Sequence, residues 1–229
     1  MKKIAVLVIS IILLIACTKD PIREEESLNH NSEIAEKELE LPVKSNPNSV
    51  LMSASPITPI NIDNYLFRDD CVYIDLRDPN QFYLEGSIAG FINIPFYGYI
   101  ANFNFDENAL YTMTKNVEGD EQILLGSVGS FVANYLESDL LIKDIVPRDK
   151  KIIVISTAGV EASYFISLLI QLGYDGSNLY NAGSFSNGIS GVPAYRLYEG
   201  AKYLVKPNPL YDTNIKYTWS IDFTRVEED

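Results

Sequence analysis

Two short apolar runs and one amphipathic stretch set the pattern of the middle of the chain. Val72-Tyr73-Ile74-Asp75-Leu76 is apolar up to a charged end, and Ile152-Ile153-Val154-Ile155 is four β-branched residues in a row. Runs this short, without alternation, predict strands of a parallel sheet covered on both faces. Between Ala162 and Leu172, Phe165, Leu168, Leu169 and Leu172 recur at intervals of three and four, and Gly173 follows. That spacing lines one face of an amphipathic helix, with glycine at its C-terminal turn. Leu179-Tyr180 before Asn181-Ala182-Gly183 predicts a further short strand that runs into a turn. Strand, loop, helix, strand is the βαβ order, so the fold class is α/β: a parallel sheet with helices on both faces, plus an insertion and a C-terminal extension.

The flanking regions have other textures. Residues 18–56 mix eight acidic and four basic residues with Pro, Ser and Asn and sustain no apolar periodicity, which predicts a flexible acidic linker. At most a short helix is expected there, around Ser32 to Leu41. In the insertion, at about 97–147, Leu124 to Leu141 reads as partly helical, with Val132, Tyr135 and Leu136 spaced for one face. The extension from 191 to 229 is Tyr-rich, is broken by Pro207 and Pro209, and carries the alternation Tyr217-Thr218-Trp219-Ser220-Ile221-Asp222-Phe223 of a half-buried strand. Domain boundaries follow at 1–16, 17–56, 57–190 and 191–229.

The first segment is an address. Met1-Lys2-Lys3 is basic, and Ile4 to Ala16 is thirteen residues in which only Ser10 is polar. A spanning helix needs roughly 20 apolar residues and a signal core about 7–15, so this stretch predicts a signal peptide. It ends in Leu14-Ile15-Ala16-Cys17, which resembles the lipobox of bacterial lipoproteins. The resemblance implies cleavage before Cys17 and lipidation of its thiol. Two acyl chains hold a protein on a membrane without spanning it, here on the extracytoplasmic face of the cell membrane. The competing reading is an ordinary cleaved signal that leaves Cys17 free.

Removing Lys2 and Lys3 with the leader leaves 16 basic against 31 acidic residues, a net charge of −15. Such a surface argues against nucleic acid as a partner and against binding anionic headgroups by charge. Attachment is therefore expected from the lipid. With Cys17 consumed, Cys71 is the only remaining thiol, so no internal disulfide is available. His30, the one histidine, lies in the linker. With His and Cys this scarce, no metal site and no cofactor are expected.

Two segments together resemble the rhodanese (sulfurtransferase) family. Tyr73-Ile74-Asp75-Leu76-Arg77-Asp78-Pro79 followed by Gly86-Ser87-Ile88-Ala89-Gly90-Phe91-Ile92-Asn93-Ile94-Pro95 is similar to the family's strand ending in D-x-R, its helix and its G-H-I-x-G-A-x-N-I-P. Ser87 stands where the family usually has His. Lys151 to Gly183 is similar to the family's strand, active-site loop, helix and glycine-ended strand. The resemblance covers roughly 57–190 and implies a sulfurtransferase frame whose loop would read C-x-x-G-x-R.

Here that loop is Ser156-Thr157-Ala158-Gly159-Val160-Glu161. Gly159 is kept, Ser156 holds the nucleophile position, and Glu161 holds the position of the anion-binding arginine. A serine hydroxyl cannot carry a transferable sulfane sulfur, and a carboxylate at 161 opposes an anion at the loop amides. The 57–190 region contains no histidine, so a Ser-His-Asp arrangement is unavailable within it. Lys150 and Lys151 start the strand that Ser156 ends, roughly 16 Å away. Cys71, at the start of a strand, reads as a packed residue, and the Asp75/Arg77 pair as a brace. The expectation is a catalytically inactive, membrane-tethered rhodanese-like module that serves as a binding or scaffold unit, with a protein partner of unassigned identity. Two alternatives stand beside it: an active sulfurtransferase or phosphatase-like enzyme, and a solute-binding lipoprotein.

Overall fold

A computed structural model describes residues 39–114, 130–188, 191–207 and 224–226. The leader at 1–16, Cys17, the linker as far as 38 with the helix expected from Ser32, the start of the stretch from Leu124, and the alternation at 217–223 all lie outside the described residues.

Strands β1 (Cys71–Asp75), β3 (Ile92–Asn93), β7 (Lys151–Ser156) and β8 (Leu179–Ser184) form a parallel sheet in the order β3-β1-β7-β8, and helix α1 (Pro79–Glu85) follows β1. β1 and β7 run in register from Cys71 opposite Lys151 to Asp75 opposite Ile155. Ile152 to Ile155 are all fully buried, because both faces of this central strand are covered. β8 keeps register with β7 as far as Val154, shifts, and pairs Ser184 with Ser156.

Alternate residues feed two cores. One face presents Ile74, Leu76, Ile152, Val154 and Leu179 to helix α3 (Val160–Gln171), which packs Ala162, Phe165, Leu168 and Leu169 against them. The helix ends as the sequence predicts. The Tyr174 amide donates to the Leu169 carbonyl and the Gly173 amide to that of Ile170, both at 2.9 Å, which closes a Schellman turn with Gly173 at its C′ position. The other face presents Tyr73, Ile153, Ile155, Tyr180 and Ala182 to Ile57, Ile62, Tyr65, Ile88, Phe91, Phe185 and Tyr195. Short 3-10 turns at Ile62–Tyr65 and Tyr195–Leu197 and irregular chain supply this cover. The α/β class therefore holds, with the described α-helices contributing their buried residues to one face and not to both.

The insertion shares the first core. Strands β4 (Ala101–Asn102), β5 (Tyr111–Thr114) and β6 (Ser130–Ala133) form a small sheet in that order, followed by α2 (Ser138–Ile145). Ser130–Ala133 is thus strand where the spacing of Val132, Tyr135 and Leu136 predicts helix. Phe131 points inward and Val132 outward, a period of two, because β5 offers an antiparallel partner from Tyr111 opposite Ala133 to Thr114 opposite Ser130.

The packed unit also starts earlier than composition suggests, at Leu39. Leu41 and Val50 are buried, and so is Lys44, whose ammonium donates to the carbonyls of Pro47, Ser49, Gly176 and Leu179 at 2.8 to 2.9 Å. Residues 39–56 lie against the domain rather than forming part of a linker. At the other end, β9 (Leu204–Val205) pairs antiparallel with β2 (Ser87–Ile88), and Tyr195 stacks on Phe185. Among the described residues no helix is long and apolar enough to cross a membrane.

Candidate functional site

Ligand sites of open α/β sheets form beyond the carboxyl ends of the strands, and the loop that leaves β7 is at that end here. Ser156 is the last residue of β7 and is fully buried. Its hydroxyl accepts the amide hydrogen of Gly159 at 2.9 Å. Gly159 takes φ +83° immediately before α3, a left-handed conformation that glycine adopts without strain. The Gly159 carbonyl accepts from the Ser163 hydroxyl at 3.1 Å and from the Asn181 side-chain amide at 3.0 Å. The same Asn181 nitrogen donates to the Val50 carbonyl at 3.0 Å. The loop is thereby fixed from inside by β8, by α3 and by the segment that precedes the sheet.

Thr157, partly exposed, donates through its hydroxyl to the Gln81 side-chain oxygen at 3.1 Å. Its carbonyl accepts from the Ser184 hydroxyl at 2.8 Å and from the amides of Ser186 and Asn187. Ala158 and Val160 are partly exposed. The Met52 thioether lies against the backbone of both Gly159 and Gly183. A Cβ at Gly183 would meet the Met52 sulfur at 2.6 Å, at a residue that also has φ +91°.

Glu161 stands in the first turn of α3, and one of its carboxylate oxygens, Oε2, is buried with no hydrogen-bond partner. A turn further on is Tyr164, whose ring joins Phe96, Tyr97 and Phe103 in a closed circuit of aromatic contacts. Burial, and after it the Glu161 charge, push the Tyr97 phenol above its ordinary range.

The Asp75-Leu76-Arg77 pair of the sequence is a buried brace. Asp75 and Arg77 side chains are both fully covered, with Nη2 to Oδ2 at 2.7 Å. Arg77 also donates to the Gly86 carbonyl at 2.7 Å, and it approaches Glu85 at 3.6 Å. Glu85 in turn meets Arg196 at 3.7 Å and the Ser186 hydroxyl. Cys71 begins β1 at the opposite end of the sheet from Ser156, in register with Lys151. Burial, and next the adjacent Asp70 carboxylate, push its thiol up to about 11. Lys150 donates to the Asp69 carbonyl and Lys151 reaches Asp70, so both cations stay at that far end.

The six loop residues singled out by sequence thus lie together, while Cys71 and the two lysines lie apart from them. Cys17 is outside the described residues. Sequence reasoning missed Asn181, Ser163 and Met52, which hold the loop from behind. A polar amide inside a fully buried strand must find partners, so Asn181 in Leu179-Tyr180-Asn181 carried a usable signal. Met52 carried none, because its contact depends on chain packing. Comparison of the chain with protein-family models, with curated proteins and with solved structures gives no match.

Proposed function

We propose that the chain is a binding or scaffold module on a rhodanese-like frame, catalytically inactive, held at the extracytoplasmic face of the membrane by lipid on Cys17. The observation that carries this reading is the Ser156 hydroxyl, which is buried and turned onto the Gly159 amide. An acyl- or sulfur-transfer nucleophile needs an accessible lone pair and a base within reach. Here the hydroxyl serves the loop itself, and both nearby lysines in sequence are committed at the other end of the sheet. An amide that would point at an anion is taken by a side chain of the loop.

The test is a thiosulfate-to-cyanide transfer assay on the full-length chain beside Ser156→Cys and Ser156→Cys/Glu161→Arg. Wild type is expected to be silent, and the double variant Ser156→Cys/Glu161→Arg to form a cyanide-labile persulfide. Transfer by wild type would overturn the reading. Anchoring is tested separately, because Cys17→Ala should leave the membrane fraction if lipid on Cys17 is the anchor.

A second reading, solute binding, draws on a cavity of about 390 Å³ beside the insertion sheet. Phe103, Phe105, Thr112, Val132, Asn134 and Arg225 line it, with the Arg225 guanidinium 4.3 Å from the Phe105 ring centroid. A metabolite panel that raises the melting temperature of wild type, but not of Phe105→Ala, would favour it.

A further inference from the structure

The insertion and the C-terminal extension meet at the outer face of the insertion sheet. Thr112 on β5 pairs with Val132 on β6, and Arg225 is held beside that strand by backbone. It bridges Tyr135 antiparallel, with the Leu136 amide donating to the Thr224 carbonyl at 2.9 Å and the Val226 amide to the Asn134 carbonyl at 3.0 Å. Together with Phe103 and Phe105, which follow β4, these residues line the cavity of about 390 Å³. Its polar floor is committed to the protein: the Thr112 hydroxyl donates to Asn134 Oδ1 at 2.7 Å, and Asn134 Nδ2 donates to the Ala109 carbonyl at 2.8 Å. Its apolar walls still meet solvent, with Val132 58% and Phe105 41% exposed. Arg225 is the one charged residue among the described residues that line the cavity, in a chain with 31 acidic and 18 basic residues.

We infer that this cavity binds a small aromatic carboxylate, its carboxyl group on Arg225 and its ring against Phe105 and Val132. The inference rests on the solute-binding reading of the same cavity and gives it a ligand class. The Arg225 guanidinium lies over the Phe105 ring, 4.3 Å from its centroid. Such a contact holds the guanidinium before a ligand arrives, and its in-plane N–H fork matches the two oxygens of a carboxylate. Walls that carry two phenyl rings suit an aromatic group, since rings gain from edge-to-face or offset pairing beyond the area they bury. An amine finds no carboxylate among the lining residues, and a neutral sugar leaves Arg225 without a countercharge. Phosphate sites draw on clustered backbone amides, whereas the walls here are side chains of strands and loops. The volume falls within the roughly 300–1,000 Å³ of small-molecule pockets. The net charge of −13 repels anions from afar, but at 0.1 M salt charges more than about 10 Å away are largely screened, so the nearby Arg225 decides.

The carboxylate can belong to a free acid or to the C-terminus of a peptide that ends in an aromatic residue, and the probes separate the two. The full-length chain in neutral detergent, at about 0.15 M salt, is titrated calorimetrically with 3-phenylpropionate, 3-phenylpropionamide, 2-phenylethylammonium and an acetylated hexapeptide ending in phenylalanine. Saturable binding of phenylpropionate is expected, with the amide about tenfold weaker or more and no binding of the ammonium ion. The affinity should fall about tenfold or more in Arg225→Gln, with Arg225→Lys in between because it keeps the charge without the fork. Val132→Glu should lose binding to the same degree; its side chain is exposed, so its melting temperature should match wild type and a folding defect is excluded. A peptide that binds about tenfold more tightly than phenylpropionate assigns the site to a peptide C-terminus, and one that binds equally or less assigns it to a free acid. Absence of saturation by phenylpropionate, equal affinities for acid and amide, or an affinity unchanged in Arg225→Gln or in Val132→Glu would overturn the inference. If that happens while a member of the metabolite panel still stabilises wild type and not Phe105→Ala, the carboxylate class falls and solute binding stands. If no member does, both fall.

Discussion

The guanidinium of Arg77 stands over the ring of Phe185, 3.6 Å from its centroid, while its nitrogens hold Asp75. One side chain thereby ties the end of β1 to the residue after β8, across the β7 strand that lies between them. Phe185 in turn stacks on Tyr195, so the brace reaches into the C-terminal extension.

Because both charges are fully covered, loss of one partner should be costly. Arg77→Met leaves Asp75 ionised in a dry site or forces it to take up a proton, and should destabilise the fold by about 3–5 kcal/mol. Arg77→Lys keeps the charge yet cannot bridge Asp75 and the Gly86 carbonyl with the same fork, so it should recover only part of that loss. Urea unfolding of the two variants checks this. A loss below about 1 kcal/mol for Arg77→Met would mean that the pair contributes little beyond its own desolvation.

The Lys44 ammonium sits among four backbone carbonyls, two from its own turn and two from the Gly176–Leu179 region. Lys44→Met removes the donor and leaves the buried acceptors unsatisfied, at an expected cost of about 2–4 kcal/mol. Lys44→Arg should not restore stability, since a planar guanidinium cannot meet acceptors arranged around a single nitrogen. Amide hydrogen exchange of Ser49 and neighbouring residues should quicken in both variants. Exchange unchanged from wild type would show that the segment is held by Leu41 and Val50 alone.

At Cys71 the burial of the thiol and the adjacent Asp70 charge set the chemistry. Both disfavour the thiolate, so the pKa is raised to about 11 and the reactive form is scarce at neutral pH. Alkylation at pH 8 should run roughly a hundredfold slower than for a free thiol of pKa about 8.5, and should rise about tenfold per pH unit up to the raised value. Iodoacetamide labelling followed by mass spectrometry gives the rate. A fast reaction at pH 8 would overturn the reading of Cys71 as a packed, unreactive residue.

Legibility in the sequence differed from element to element for physical reasons. Ile152-Ile153-Val154-Ile155 declared a central strand because four β-branched residues in a row fit only where both faces are covered. The helix from Val160 was readable from its apolar spacing, and its end from Gly173. The stretch at 130–133 misled, because Val132, Tyr135 and Leu136 fit a helical period by chance of spacing. Its pairing with residues 111–114 comes from distant chain, and the partner decided for strand. Residues 39–56 misled in another way. Charged and proline-containing composition describes how little apolar surface a segment offers, and it is blind to a single lysine that finds four carbonyls.

The loop divides along the same line. Sequence by itself determined which chemical groups are present at 156–161: a serine hydroxyl, a glycine and a carboxylate, with no thiol among them. Only the tertiary structure decided how those groups are used. The Ser156 hydroxyl accepts from the Gly159 amide, Asn181 and Val50 close the loop from behind, and Glu161 has one buried carboxylate oxygen. The reason is that reactivity belongs to the residue type, whereas burial, partners and exposure are fixed by chain that is far away in sequence and near in space.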